Sequence, residues 1–216
     1  MSSPEPASAP FQPDRLFDGR GFASDPATGV VQNPAGDRVV YAPANFTRGL
    51  YSILRAEKAG TWPAAFQQGG AATGRRAAVQ LDEELTRVGE PALAAMPLET
   101  CLTFVEHYCA SHGWGVLKLD LADASEHGLV TARLTRSYFV EVLNDADEFV
   151  DPLISGILQG FFEHISGQEL GCLEIACTRR GAPGCTFIIT APERLAAIAP
   201  LLGSADAETI IARLKA

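Results

Sequence analysis

Near the middle of this chain the hydrophobic pattern changes period, and no other feature restricts its fold so strongly. Upstream, apolar residues recur at helical spacing: Phe46, Leu50, Ile53 and Leu54 after Asn45, then Val79, Leu81, Leu85 and Val88, then Leu102, Val105 and Cys109. That spacing lines up a stripe of apolar side chains along one side of an α-helix. Downstream, Leu117, Leu119 and Leu121 alternate with Val116, Lys118, Asp120 and Ala122, which is the two-residue repeat of a half-buried strand. The chain therefore divides into a helical first half and a second half that must build a sheet.

Four helical stretches are expected in the first half. One is capped by Asn45 and ends near Gly60, one runs around Pro63–Gly70 and presents Trp62 and Phe66, and two cover Ala77–Val88 and Leu98–Ser111. Gly69, Gly70 and Gly74 fall between helices in this reading. The strand alternation resumes through Val130, Ala132 and Leu134 after the polar stretch Ala124-Ser125-Glu126-His127-Gly128, which makes a β-hairpin. Tyr138–Leu143 extends its second strand or begins another. Pro152–Ile165 then reads as a helix with one strongly apolar face, and Gly156 and Gly160 lie within it. Each glycine costs about 1 kcal/mol of helix propensity relative to alanine, and the pair permits close approach of another backbone. Strands over Glu169–Thr178 and Cys185–Thr190 follow, and an amphipathic helix pair over Pro192–Leu202 and Ala205–Leu214 closes the chain. There is no regular βαβ alternation, so the class is α+β, with a helical first half packed on an antiparallel sheet.

Composition narrows the function. A chain of 216 residues, 47% apolar and 20% charged, suits one good-sized globular domain. Seven of its fourteen prolines fall in the first 43 residues, a density that disfavours helix. Residues 1–28 are expected as an arm, with a short strand at Arg38–Tyr41 after the turn Asn33-Pro34-Ala35-Gly36. The expected division is therefore an N-terminal arm over residues 1–44 and a single domain over 45–216. The net charge is -9 and the basic residues are scattered, so neither nucleic acid nor a membrane surface is an expected partner. Five cysteines, an odd number, and no signal-peptide pattern place the chain in a reducing cytoplasm, where cysteines serve as thiols or metal ligands.

The segment richest in chemistry is Gly171-Cys172-Leu173-Glu174-Ile175-Ala176-Cys177, continued through Thr178-Arg179-Arg180-Gly181-Ala182-Pro183-Gly184 to Cys185. Cys177 and Cys185 stand at the two ends of a turn, so a hairpin brings their sulfurs together. Glu174 would point to the opposite face of a flat strand, and joining it to them needs a bulge or bend near Ile175-Ala176. Two thiolates and a carboxylate then suit a tetrahedral zinc ion that still lacks a ligand. Other readings stay open: two free buried thiols, a cross-strand disulfide, and a Glu174 that is merely solvated.

Glu174, Cys177 and Cys185 at this spacing, with an apolar strand behind them, resemble the C-terminal signature of the 4-vinyl reductase domain family. That family includes proteins tied to bacteriochlorophyll synthesis, archaeal hydrocarbon-binding proteins, and sensor domains of phenol- and xylene-responsive regulators. The order of elements agrees over residues 45–190. The resemblance implies the α+β fold of TRAPP-type trafficking subunits, a homodimer, and a cavity between the helical half and the sheet for a small hydrophobic or aromatic ligand. Phe104, His107, Tyr108, Trp114, Tyr138 and Phe162 are its candidate lining residues, each of which also reads as ordinary core. Zinc-binding members carry a further Cys about twenty-three residues before the Glu. Counting back from Glu174 reaches Asp151, a departure from that pattern. A carboxylate oxygen is an acceptable zinc ligand, so the expected metal site is Asp151, Glu174, Cys177 and Cys185, closed and structural. Its four formal negative charges call for compensation, for which Arg179 and Arg180 are at hand. Cys172, on the strand face of Glu174, is the weaker alternative to Asp151.

Other chemistry finds little support. His107, His112, His127 and His164 show no metal-ligand spacing, and neither a phosphate loop, a dinucleotide fingerprint nor a G-x-S-x-G elbow is present. The expectation is a non-enzymatic cytoplasmic binding domain with a structural zinc site, acting as a sensor or carrier for a separate output or biosynthetic protein. A tetrapyrrole 4-vinyl reductase or its accessory protein is the enzymatic alternative, although no site for a hydride source is evident. A structural adaptor without ligand is the third.

Overall fold

The structure, a computed structural model, describes residues 22–32, 36, 38–57 and 60–216. It divides into two units, Met1–Val40 and Tyr41–Ala216. In the first unit, strands β1 (Ala23–Asp25), β2 (Val30–Gln32) and β3 (Arg38–Val39) form an antiparallel sheet in that order. Asp25 closes the β1–β2 turn: its carboxylate accepts the Ala27 N–H at 2.9 Å and the Thr28 hydroxyl at 2.8 Å. The described part of the expected arm thus holds two strands ahead of the one expected near Arg38. Residues 1–21 and the turn residues Asn33-Pro34-Ala35 lie outside the described residues.

The second unit is built in the order α1 (Ala44–Glu57), α2 (Trp62–Arg87), α3 (Leu98–Ser111), β4 (Val116–Asp120), α4 (Ala124–His127), β5 (Val130–Thr135), α5 (Tyr138–Val142), α6 (Pro152–Ser166), β6 (Gly171–Ala176), β7 (Cys185–Thr190), α7 (Pro192–Ile198) and α8 (Ala207–Lys215). Its four strands form an antiparallel sheet in the order β4-β5-β7-β6. Helix α6 packs against β6 and β7, and α7 and α8 pack against β6. Leu129, Ile175, Ile188, Ile198, Ile210 and Leu214 form the core beneath α7 and α8. The class is α+β, as the change of period requires, and Leu117 is buried between the exposed Val116 and Lys118. Among the described residues, no helix is long and apolar enough to cross a membrane.

Four local expectations are corrected. The second and third helical stretches are one helix, α2, which runs through Gly69, Gly70 and Gly74. A Cβ built on Gly70 would lie 2.2 Å from the Leu153 carbonyl oxygen, and one on Gly74 would lie 2.2 Å from that of Ile157. The relation is mutual, because Cβ atoms on Gly156 and Gly160 would meet the carbonyl oxygens of Gln67 and Ala71 at 2.0 and 2.2 Å. These glycines let two backbones touch, and that contact overrides the low helix propensity that made them look like breaks. Secondly, Phe46, Leu50 and Ile53 do not face the core; they are 62%, 42% and 57% exposed, while Tyr51 is the buried residue of α1.

Thirdly, Tyr138–Val142 is a helical turn and not a strand. Ser137 starts it, its hydroxyl accepting the Val140 N–H at 3.3 Å, which ends the β5 ladder and turns the chain out of the sheet. Lastly, the polar hairpin stretch is itself the short helix α4, closed by Gly128 at φ 57°, a conformation that suits glycine.

Candidate metal centre

Asp151, Glu174, Cys177 and Cys185 converge. One ligand atom from each lies within 4.8 Å of every other, and all four residues are buried. The bulge that this convergence needs is present: Glu174 pairs with Phe187 and Ala176 with Thr186, so the register slips by one residue between them. The extra residue, Ile175, stays in the core beneath α7 and α8, and the slip lets Glu174 and Cys177 reach the same point. Cys172 is buried but stands outside the group. The Cys177 and Cys185 sulfurs are 3.7 Å apart as free thiols, with Cys185 donating.

Asp151 occupies the N-cap position of α6, ahead of Pro152, yet its side chain caps nothing. An aspartate there ordinarily accepts a backbone N–H from the first turn. Here the carboxylate turns inward instead. Its Oδ1 accepts the Ser137 hydroxyl at 2.6 Å, and the Asp151 backbone N–H donates to Glu174 Oε2 at 3.1 Å. One oxygen of each carboxylate is thereby occupied. The other oxygens, Asp151 Oδ2 and Glu174 Oε1, are buried without a partner. A buried unpaired carboxylate oxygen costs several kcal/mol on the scale of buried charge, so two in one cluster must be offset by a proton, by the neighbouring thiols or by a cation.

Protonation agrees with this. Burial pushes the Asp151 carboxyl up to about 6 and the Glu174 carboxyl well above its ordinary range, with the neighbouring charges raising Glu174 further. The Cys185 thiol donates to Cys177, which lowers Cys177 to about 6 and raises Cys185. Without a cation, four acidic groups share a few protons in a buried space. Backbone N–H groups of Arg179 and Val150 donate to the Cys177 sulfur and that of Thr178 to Cys185. The N-terminus of α6 adds its own favourable dipole.

The expected compensation by Arg179 and Arg180 takes another form. Arg179 donates to the carbonyls of Asn144 and Ala146, Arg180 to those of Asp147 and Gly203, and the Arg180 guanidinium lies 5.1 Å from the Phe149 ring centroid. These two side chains hold the segment leading to Asp151 and do not touch the acids. A sequence cannot show this, because a guanidinium near an acid in the chain has many carbonyls within reach.

The donor set fits a divalent metal. Two thiolate sulfurs each about 2.3 Å from a tetrahedral zinc stand about 3.8 Å apart, close to the 3.7 Å found between Cys177 and Cys185. Two unpartnered oxygens complete four ligand atoms. A filled set of four has no open position, so such an ion would organise structure and would not activate a substrate.

Of the six residues expected around a ligand, Trp114 and Tyr138 come together, their ring centroids 6.3 Å apart, and Trp114 stacks on Phe139 at 5.6 Å. Phe139 continues to Tyr51, and Tyr51 to Trp62 and Phe66, all of them outside the expected six. Tyr108 packs instead on Phe161, at 5.1 Å, while Phe104 and Phe162 are buried and His107 is half-buried. The Trp114 Nε1–H is buried without an acceptor. A cavity of about 770 Å³ opens elsewhere, beside the Cys hairpin, between Arg133 and Thr186 of the sheet and the start of α8; none of the six borders it.

No family model and no curated protein matches the chain. Solved structures do. The phenol-responsive sensory domain of the transcription activator PoxR, crystallised with phenol, superposes with a TM-score of 0.63 at 16% identity, over 84% of this chain and 89% of that one. A vinyl-4-reductase family protein from Methanocaldococcus jannaschii matches at 0.47 and 17% identity, over 70% of this chain and 83% of its own. A trafficking protein particle complex subunit 3 from Naegleria fowleri, covalently bound to palmitic acid, matches at 0.48 and 12%, over 68% and 93%. The chain has the fold of the PoxR sensory domain, which is the α+β fold that the resemblance implied.

Proposed function

We propose that this chain is a cytoplasmic small-molecule-binding domain, a sensor or carrier, whose Cys hairpin is fastened by a structural zinc ion on Asp151, Glu174, Cys177 and Cys185. One observation carries the reading: two buried carboxylate oxygens without partners stand beside two thiol sulfurs at tetrahedral-edge distance. When bound, zinc would supply the positive charge this buried group lacks and would pin β6, β7 and the start of α6 to one point. The ligand is a small hydrophobic or aromatic molecule. The fold shared with a phenol-responsive sensory domain supports that class, as does the unpaired Trp114 indole N–H among aromatic rings, which a ligand oxygen would satisfy. Free thiols at all five cysteines suit a reducing compartment. Native mass spectrometry with metal analysis tests the whole reading. One zinc per chain and a retained small molecule are expected, and a metal-free protein after purification with added zinc would overturn the site.

The proposed assembly is a homodimer, supported by the apolar stripe of α1. Phe46, Leu50 and Ile53 recur along one side of that helix and are largely exposed, which is unusual for a helix of an ordinary monomer surface. Replacing Phe46 and Ile53 by Asp should raise the dimer dissociation constant about thirtyfold or more in sedimentation experiments, the loss typical of central interface residues. An unchanged dimer would place the interface elsewhere.

A further inference from the structure

Asp151 departs from the thiolate that the resemblance puts at its position, and an aspartate brings a difficulty that a cysteine does not. A thiolate offers one ligand atom, whereas a carboxylate offers two and turns freely about its last bond. A ligand that rotates is poorly pre-organised, and outer partners of ligating groups ordinarily fix them. In this structure the fixing group is Ser137. Its hydroxyl lies 2.6 Å from Asp151 Oδ1, and the residue is itself 2% exposed. The hydroxyl oxygen also accepts the Val140 N–H, which leaves its hydrogen to point at the carboxylate. Asp151 Oδ2 is left buried and unpartnered, in a carboxylate with an oxygen within 4.8 Å of a ligand atom from each of Glu174, Cys177 and Cys185.

We propose that Ser137 is a positioning residue of the metal centre: by holding Oδ1 it makes Oδ2 the single ligand atom of Asp151. The inference rests on the reading of this cluster as a metal site. It adds to that site a residue fourteen positions away in the chain and at a different element, the N-cap of α5. The same hydroxyl therefore joins the metal centre to the turn that carries Tyr138 and Phe139.

The test is a double-mutant cycle on metal affinity in the full chain. Zinc dissociation constants are measured by competition with a chromophoric chelator, and cobalt absorption reports the thiolate ligands. Ser137→Ala should weaken zinc binding about 10–100-fold, the range for loss of an outer partner. Ser137→Thr, which keeps the hydroxyl, should restore most of the affinity. In an Asp151→Cys background Ser137→Ala should cost little, because the replacement ligand has no second atom to hold. If Ser137→Ala weakens zinc equally in both backgrounds, its role is only to start α5 and the inference fails. An unchanged affinity in the original background overturns it as well. Failure of the wild-type chain to bind zinc or cobalt at all overturns the metal reading instead, so the two failures are told apart.

Discussion

Gly70→Ala will destabilise this protein by about 2–3 kcal/mol, whereas Gly69→Ala, one residue earlier in the same helix, will stabilise it by up to about 1 kcal/mol. Both substitutions add one methyl group within α2, and both gain the same intrinsic helix propensity. They differ in what the methyl meets. At Gly69 nothing lies within 4 Å, but at Gly70 the new carbon would stand 2.2 Å from a backbone oxygen of α6 and 3.0 Å from two more backbone atoms. No rotamer relieves a clash with backbone, so the helices must part. Parting them forfeits packing over the contact that orients α6, and α6 in turn presents Asp151 to the metal group. Urea unfolding followed by circular dichroism gives both values. Equal stabilities for the two variants would mean that α2 and α6 do not cross at these glycines. Gly156→Ala and Gly160→Ala belong with Gly70, since each would meet a carbonyl oxygen at 2.0–2.2 Å.

Cys177→Ser will abolish zinc binding at micromolar concentration, a loss of at least about 100-fold, because removing a ligand should exceed the 10–100-fold cost of removing an outer partner. Cys177 is the one thiol of the group whose ionisation is favoured, through the bond from Cys185 and the backbone N–H groups around it. Serine brings no comparable anion at neutral pH. Asp151→Cys should act in the opposite direction and tighten zinc, since a third thiolate suits zinc better than a carboxylate. Loss of metal should also lower stability, by RT ln(1 + [L]/Kd), which is about 4 kcal/mol where zinc stands a thousandfold above its dissociation constant. The ligands bind as deprotonated groups, so lowering the pH must weaken the metal and raising it must strengthen it. With Cys177 and Asp151 both taking up protons near pH 6, release should steepen below that value. Isothermal titration across the pH range reads both affinity and protons displaced. A Cys177→Ser protein that kept full zinc content would refute the site.

Much of the site was legible because its ligands lie in one hairpin. Glu174, Cys177 and Cys185 fall within a dozen residues, and strand alternation alone shows that they meet only if the chain bulges near Ile175. The bulge is there. Asp151 was reached only through the spacing of a resembling family. On local rules it is a helix cap before a proline, and the cap is what a reading of those residues alone would prefer. Ser137 carried no signal at all, since a serine ahead of a helical turn is ordinary and its second bond crosses to a distant segment. The aromatic group was half legible: Trp114 and Tyr138 were expected together, while Tyr51, Trp62, Phe66 and Phe139 belong to three elements whose meeting no periodicity encodes.

The period of the apolar residues was enough for the α+β class, the hairpins, α6 and the need for a bulge, because each follows from which face of one element must leave water. Long-range contact settled the rest. Glycines that look like helix breaks are places where two helices touch, and the apolar stripe of α1 lies exposed while Tyr51 is buried. Asp151 gives up its cap to point at Glu174 and two sulfurs. For the glycines and for Asp151 a local preference worth about 1 kcal/mol yields to a backbone contact or a buried charge that costs several. Backbone contacts and buried charges of that kind arise only once residues far apart in the chain are brought together.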